Sequence, residues 1–231
     1  MAEFLQNIGV WGVALTLGAF ALGTWVSKKT GQAIFNPLLL GSIFVIIFLS
    51  LAQIPCAQYK QSVRFLSYLL LPATVSLAVP MYEQWMILRR NALAVLCGIL
   101  AGALTSMICV IAMSWLLKLD PALAVSFMPK SVTTAIGAEV AAELGGITSL
   151  AGGIIVLTGI MGNLSASALC RICKLRDPVA RGVAIGTGSH AVGTPRALQM
   201  GRVEGAVSSL SIAVAGVLTA AICPMLVNFL P

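Results

Sequence analysis

Eight apolar runs follow one another with little polar sequence between them, at about 6–26, 35–54, 65–88, 91–117, 121–145, 147–170, 179–202 and 203–229. A bilayer crossing needs about 20 apolar residues. These runs have that length, and all of them read as helices. Only 9% of the residues are charged and the mean hydropathy is +1.00, against about 25% charged in a soluble domain. The chain therefore reads as an all-α polytopic membrane protein forming a single domain over 1–231. It has about six to eight transmembrane helices, with broken or re-entrant helices among them, and no room for a sizeable soluble domain.

The net charge of +7 does not mark a nucleic-acid binder. The cations sit between the apolar runs, at Lys28 and Lys29, Lys60 and Arg64, Arg89 and Arg90, and Arg171, Lys174, Arg176 and Arg181. That is the distribution of membrane-flanking loops. The first run has spanning length and Glu3 precedes it in place of a positive segment, so no cleavable signal is expected. Of the six cysteines, most lie inside apolar runs and read as small buried hydrophobes. Cys170-Arg171-Ile172-Cys173 has no second pair and no neighbouring His, so neither a metal nor a cofactor is expected.

Two runs are interrupted at matching places. The run at 65–88 carries Pro72 and Pro80, and the run at 179–202 carries Gly186-Thr187-Gly188-Ser189-His190-Ala191-Val192-Gly193-Thr194-Pro195-Arg196. A third interruption falls at Phe127-Met128-Pro129-Lys130-Ser131. Proline removes a helical hydrogen bond and clashes with the preceding turn, so Pro72, Pro80, Pro129, Gly193 and Pro195 are expected to mark broken helices. Ser76-Leu77-Ala78-Val79-Pro80 echoes Ser189-His190-Ala191-Val192-Gly193 at an offset of 113 residues. Ala101-Gly102 echoes Ala215-Gly216 at 114, and Leu39-Leu40-Gly41 echoes Leu150-Ala151-Gly152 at 111. Three ordered matches at nearly one offset indicate two repeats, about 1–117 and 121–231. If the broken runs fold back, each half crosses three times and the repeats are inverted. With the N-terminus outside, Lys28, Lys29, Lys118 and the cations at 171–181 then lie inside, which the positive-inside bias favours; if the broken runs cross fully, Arg89 and Arg90 move inside and 171–181 falls outside. Broken helices at equivalent places in a duplicated membrane protein point to a secondary transporter, with substrate held where the breaks meet.

Irregular backbone at membrane depth must line a cavity or be buried in protein, and ionisable groups there are functional candidates. Lys130, followed by Ser131, Thr133 and Thr134, reads either as a carboxylate site at a helix start or as a snorkelling lysine beside a capping serine. His190, the only histidine, either passes a proton or holds helices together. Ser189 and Thr194 flank it and, with Lys130, Ser131, Thr133, Thr134, His190 and Arg196, are expected to bind the substrate's carboxylate and its hydroxyl or keto oxygens. Arg196 either grips a carboxylate with its planar fork or pairs with Glu204 or Glu83. Glu83, just after Pro80, reads as a proton carrier or counter-ion to His190. Gly98-x-x-x-Gly102 and Gly182-x-x-x-Gly186 allow close helix packing. No nucleophile with a base, metal-ligand spacing or phosphate loop is present, so the chain does not read as an enzyme.

The sequence resembles the LrgB/CidB family along nearly its whole length. The resemblance rests on Asn36-Pro37-Leu38-Leu39, on Leu71-Pro72-Ala73 through Pro80-Met81-Tyr82-Glu83-Gln84, and on Met128-Pro129-Lys130-Ser131-Val132-Thr133-Thr134. Arg181-Gly182 through Thr194, with Glu204-Gly205-Ala206, completes it. Pro195 departs from the pattern, which has a small residue before the Arg. The resemblance implies two functions. One is transport of small carboxylates such as pyruvate, glycolate or glycerate, as in the LrgB part of plastidic glycolate/glycerate transporters. The other is an antiholin-like modulation of murein hydrolase export and autolysis. It also implies a small LrgA/CidA-type membrane partner and a multi-pass location in the bacterial inner membrane. The expected associates are thus the carboxylate, that partner, lipid and further copies of the chain, and no nucleic acid.

Overall fold

The helices of the computed structural model follow the apolar runs closely. It describes residues 11–30 and 35–231, apart from the side chains at 70 and 71. Glu3 and the start of the first run, 6–10, lie outside the described residues. Twelve α-helices are seen among the described residues: α1 Trp11–Thr30, α2 Pro37–Leu51, α3 Cys56–Ser62, α4 Arg64–Ser76, α5 Ala78–Glu83, α6 Trp85–Arg90, α7 Ala92–Leu117, α8 Pro121–Phe127, α9 Thr134–Glu143, α10 Thr148–Ile172, α11 Pro178–Met200 and α12 Arg202–Leu226, followed by a 3-10 turn at Val227–Phe229. Four stretches are long and apolar enough to cross a bilayer, namely Arg64–Glu83, Ala92–Leu117, Thr148–Ile172 and Arg202–Phe229, and α2 is a shorter apolar helix. Leu93, Trp115, Leu157, Met161 and Val217 are among the large apolar side chains left exposed, as expected of surfaces solvated by lipid.

The chain divides into two units, one ending at Ser76 and the other running Leu77–Pro231. In the first, α1 and α2 pack closely because Gly23 lies against the Pro37 backbone and Gly41 against Ala19 and Phe20. Asn36 accepts a hydrogen bond from Leu38 N at 2.8 Å and Pro37 opens α2, the plain capping role its sequence suggests. Trp11, Val45, Leu49 and Ile54 form this unit's core, and Tyr59 of α3 reaches Thr16 at 2.7 Å.

The second unit contains two helical hairpins. α11 consists of two helical arms that meet and reverse direction at His190, whose φ of 41° and ψ of −141° are not helical. The reversal follows from the contacts. Arg181 and Met200 line one pocket, and Ile185 and Ala197 share one core cluster. In a straight helix Arg181 and Met200 would lie about 28 Å apart. The arms, 178–189 and 191–200, each reach about 15–18 Å, roughly half a bilayer. The second hairpin is α8–α9. Its first arm continues past Phe127 through the turns at 128–132, and the chain reverses at Thr133, which is extended at ψ 149°. Accordingly Gly137 lies against Pro129 and Val132, and Gly146 against Val125 and Ser126.

These reversals correct several expectations about the breaks. Gly193 and Pro195 lie inside the second arm of α11, and the break is His190 itself. Pro72 lies inside α4. Pro80 is in the first turn of α5, where a missing N–H costs little. The interruption between α4 and α5 falls at Leu77, whose backbone remains helical at φ −67° and ψ −14°, unlike that of His190. Only Pro129 sits in a non-helical turn, one step from Lys130.

Candidate functional site

Both hairpin tips pack on the same stretch of α10. Thr134 lies beside Gly152 and the Ile155 side chain lies against Gly137. One turn on, His190 Nε2 is 2.9 Å from the Ile155 carbonyl oxygen. A carbonyl only accepts, so Nε2 carries the proton. A Cβ at Gly159 would stand within 2.8 Å of the imidazole, and one at Gly162 would strike the Ser189 side chain. The small face of α10 is thus what lets the α11 tip dock. Asn163 Nδ2 donates to the Val192 carbonyl at 2.7 Å and ties down the second arm.

The tip is a strained structure held by its surroundings. A non-glycine residue at φ 41° and ψ −141° costs of order 1–3 kcal/mol. Thr194 Oγ1 donates to the His190 carbonyl at 3.0 Å and shares a 2.9 Å bond with Ser208 Oγ of α12. Thr194 and Ser189 are fully or nearly fully buried. Their role here is to close the reversal.

Lys130 stands on the other hairpin, in the turn before the tip, and not at the start of a helix as its sequence suggests. Its Nζ donates to Ser106 Oγ at 2.9 Å and to Ser131 Oγ at 3.3 Å, and these two hydroxyls share a 2.9 Å bond. Ser131 therefore caps no helix; Thr133 occupies that position and makes no side-chain capping bond. Thr133 is half-buried and Thr134 exposed. Ser106 lies at the middle of the 26-residue α7. Among the described residues no carboxylate lies within 4.0 Å of Lys130 Nζ; the one ion pair there is Arg181–Glu204 at 3.7 Å.

A cavity of about 10 Å³ adjoins this lysine cluster, between the two hairpins, α7 and α12. Its polar lining is Ser106, Ser131, Thr187 and Thr219, and Met107 and Met128 help to close it. That volume holds about one water. Thr187 is 5% exposed, and its Oγ1 has no hydrogen-bond partner among the described residues. Its methyl group is pressed on Gly102, while Gly98 receives Val183 and Gly182 and Gly186 receive Val207 and Ser208. Both GxxxG motifs therefore clasp the arm that carries Thr187.

The structure does not gather every candidate residue. Ser131 lines the cavity and Lys130 is bonded to Ser106 and Ser131 of its lining, whereas Arg196 is held elsewhere along α11. Its Nε donates to Ser167 Oγ and its Nη1 to Gln199, each at 3.0 Å. Arg181, not Arg196, takes Glu204. Glu83 is exposed, forms no ion pair among the described residues and makes no contact with His190. The sequence reading missed Thr187, Ser106 and Thr219, and also Ile155, Gly159 and Asn163. Thr187 was visible inside the glycine-rich break. The others sit in unbroken helices and carried no local signal.

Two helical hairpins converging on one transmembrane helix, with a lysine and a hydroxyl-lined cavity between them, define a multi-pass membrane protein with a polar centre. The LrgB-like family profile matches residues 16–229, and the chain belongs to that family. It is 29% identical over 221 residues to the antiholin-like protein LrgB of Bacillus subtilis (strain 168), covering 95% of this chain and 96% of the relative. The antiholin-like LrgB proteins of Bacillus cereus (strain B4264) and Bacillus anthracis (strain CDC 684 / NRRL 3495) match with the same identity and coverage. No solved structure matches.

Proposed function

We propose that the protein is a secondary transporter of small carboxylates. The observation that carries this reading is Lys130, whose ammonium lies beside Ser106 at the middle of α7 with hydroxyl partners and no carboxylate partner among the described residues. A charge at that depth is expensive unless it is paired, and an anionic substrate supplies the missing partner. Ser106, Ser131 and the unpartnered Thr187 hydroxyl then receive the remaining substrate oxygens, with Thr219 beside them. A cavity that holds one water is too small for a three-carbon acid, so binding requires the hairpin arms to part. The strained tip at His190 is the place where that movement concentrates, and its imidazole is a positioning group for the α11 hairpin. In this reading the protein works in the bacterial cytoplasmic membrane beside a small LrgA/CidA-type partner and has no enzymatic activity.

A second reading, an antiholin-like modulator of murein hydrolase activity, is favoured by the names of the Bacillus relatives. Proteoliposomes decide between the two. The full chain, with and without the small partner, should take up labelled pyruvate while retaining an unrelated entrapped dye. Dye leakage matching pyruvate entry would identify a pore. No uptake under either condition would favour the regulatory role.

A further inference from the structure

At the open end of the α11 hairpin, opposite its tip, lies a basic pocket of about 420 Å³ lined by Ser167, Cys170, Arg171, Lys174, Arg176 and Arg181. Its volume is in the range of small-ligand sites. Arg181 is partly neutralised by Glu204 at 3.7 Å, and its Nε donates to the Leu175 carbonyl. Arg171, Lys174 and Arg176 are exposed and form no ion pair among the described residues.

The turn that builds this pocket is well specified. Leu175 N donates to Cys170 O at 2.9 Å and Lys174 N to Arg171 O at 3.1 Å, a Schellman closure of α10. Lys174 takes the left-handed position of that closure, at φ 51°, where glycine is the favoured residue. A lysine there trades conformational ease for a charge aimed at the pocket rim. The pocket also adjoins apolar surface. Leu169 and Ile172 on the last turns of α10 are 52% and 74% exposed, and Leu198 is 41% exposed. Cations in a concavity at a transmembrane helix end, next to apolar side chains that face lipid, fit one ligand chemistry: a phosphodiester headgroup with acyl chains attached.

We infer that this pocket binds an anionic glycerophospholipid, the phosphate lying among Arg171, Lys174 and Arg176 and the chains running along Leu169 and Ile172. The test is thermal unfolding of the full chain in neutral detergent, titrated with phosphatidylglycerol, phosphatidylcholine or inorganic phosphate. Phosphatidylglycerol should raise the midpoint, and the other two should not at the same concentration. Each juxtamembrane cation contributes about fivefold in lipid affinity. The pair Lys174→Gly and Arg176→Gln should therefore respond at about 25-fold higher phosphatidylglycerol concentration. Lys174→Gly suits the left-handed backbone, so the lipid-free midpoint should hold or rise. The pair Arg89→Gln and Arg90→Gln removes equal charge from exposed positions on α6 and should respond as the wild type does. Equal response to both lipids, an unchanged response of the pocket variant, or equal loss in the α6 variant would overturn the assignment. A shift reproduced by inorganic phosphate alone would overturn the lipid as ligand.

Discussion

Thr187 and Lys130 are each poorly satisfied where they stand, and in different ways. Thr187 buries a hydroxyl without a partner, which costs about 1–3 kcal/mol. Thr187→Val keeps the shape and removes the orphan, so its thermal midpoint should rise while the KM for pyruvate uptake rises about tenfold, the worth of one hydrogen bond. Lys130→Met removes a charge but leaves Ser106 and Ser131 bonded to each other. Its midpoint should hold or rise, because an isolated charge leaves a low-dielectric site. A fall in either midpoint would mean that the side chain serves the fold. His190 can be dissected similarly. Glycine relieves the strained backbone and alanine does not, while both lose the Ile155 bond. His190→Gly should therefore be more stable than His190→Ala by about 1–3 kcal/mol, read by denaturation, and equal stabilities would contradict the tip geometry.

Among the helices, α10 is the post on which both hairpins hang. A β-carbon at Gly159 meets the imidazole and Val192. Gly159→Ala should destabilise by about 1–3 kcal/mol through overpacking and reduce uptake by displacing the tip. An unchanged midpoint would mean that the tip does not rest there. The helices themselves were legible in the sequence, because apolar run length and Gly/Pro punctuation are local signals. The interruptions at Lys130 and His190 were legible for the same reason. The fold-back of α11 was foreseen only as one alternative, since a break does not specify an angle. The proline positions misled, because Pro195 and Pro80 are tolerated inside or at the start of helices. The real break needed only a φ value at His190, which no residue type announces. Arg196 and Glu83 were grouped with His190 by nearness in the chain or in the repeat, but contact across a reversed hairpin depends on which face each residue takes. The partners that count, Ile155 on α10 and Ser106 on α7, are separated in sequence from the residues they meet.

For the molecule as a whole, the second unit concentrates polarity in a core that small residues let close tightly. The buried face of α12, including Ala206, Ser208, Ser209, Ser211, Ala215, Gly216 and Thr219, brings α11 and α7 near enough to leave a cavity of about 10 Å³. Such a closed centre suits a carrier that opens to one side at a time better than a standing pore, and in the proposed transport Lys130 provides the charge the substrate answers. Initial pyruvate uptake into proteoliposomes, compared for wild type, Lys130→Arg and Lys130→Met, tests this directly. Lys130→Arg should keep measurable uptake, and Lys130→Met, folded and at least as heat-stable as wild type, should lose it by about 10- to 100-fold, as removal of a charged hydrogen-bond partner predicts. Uptake by Lys130→Met at the wild-type rate would contradict the account.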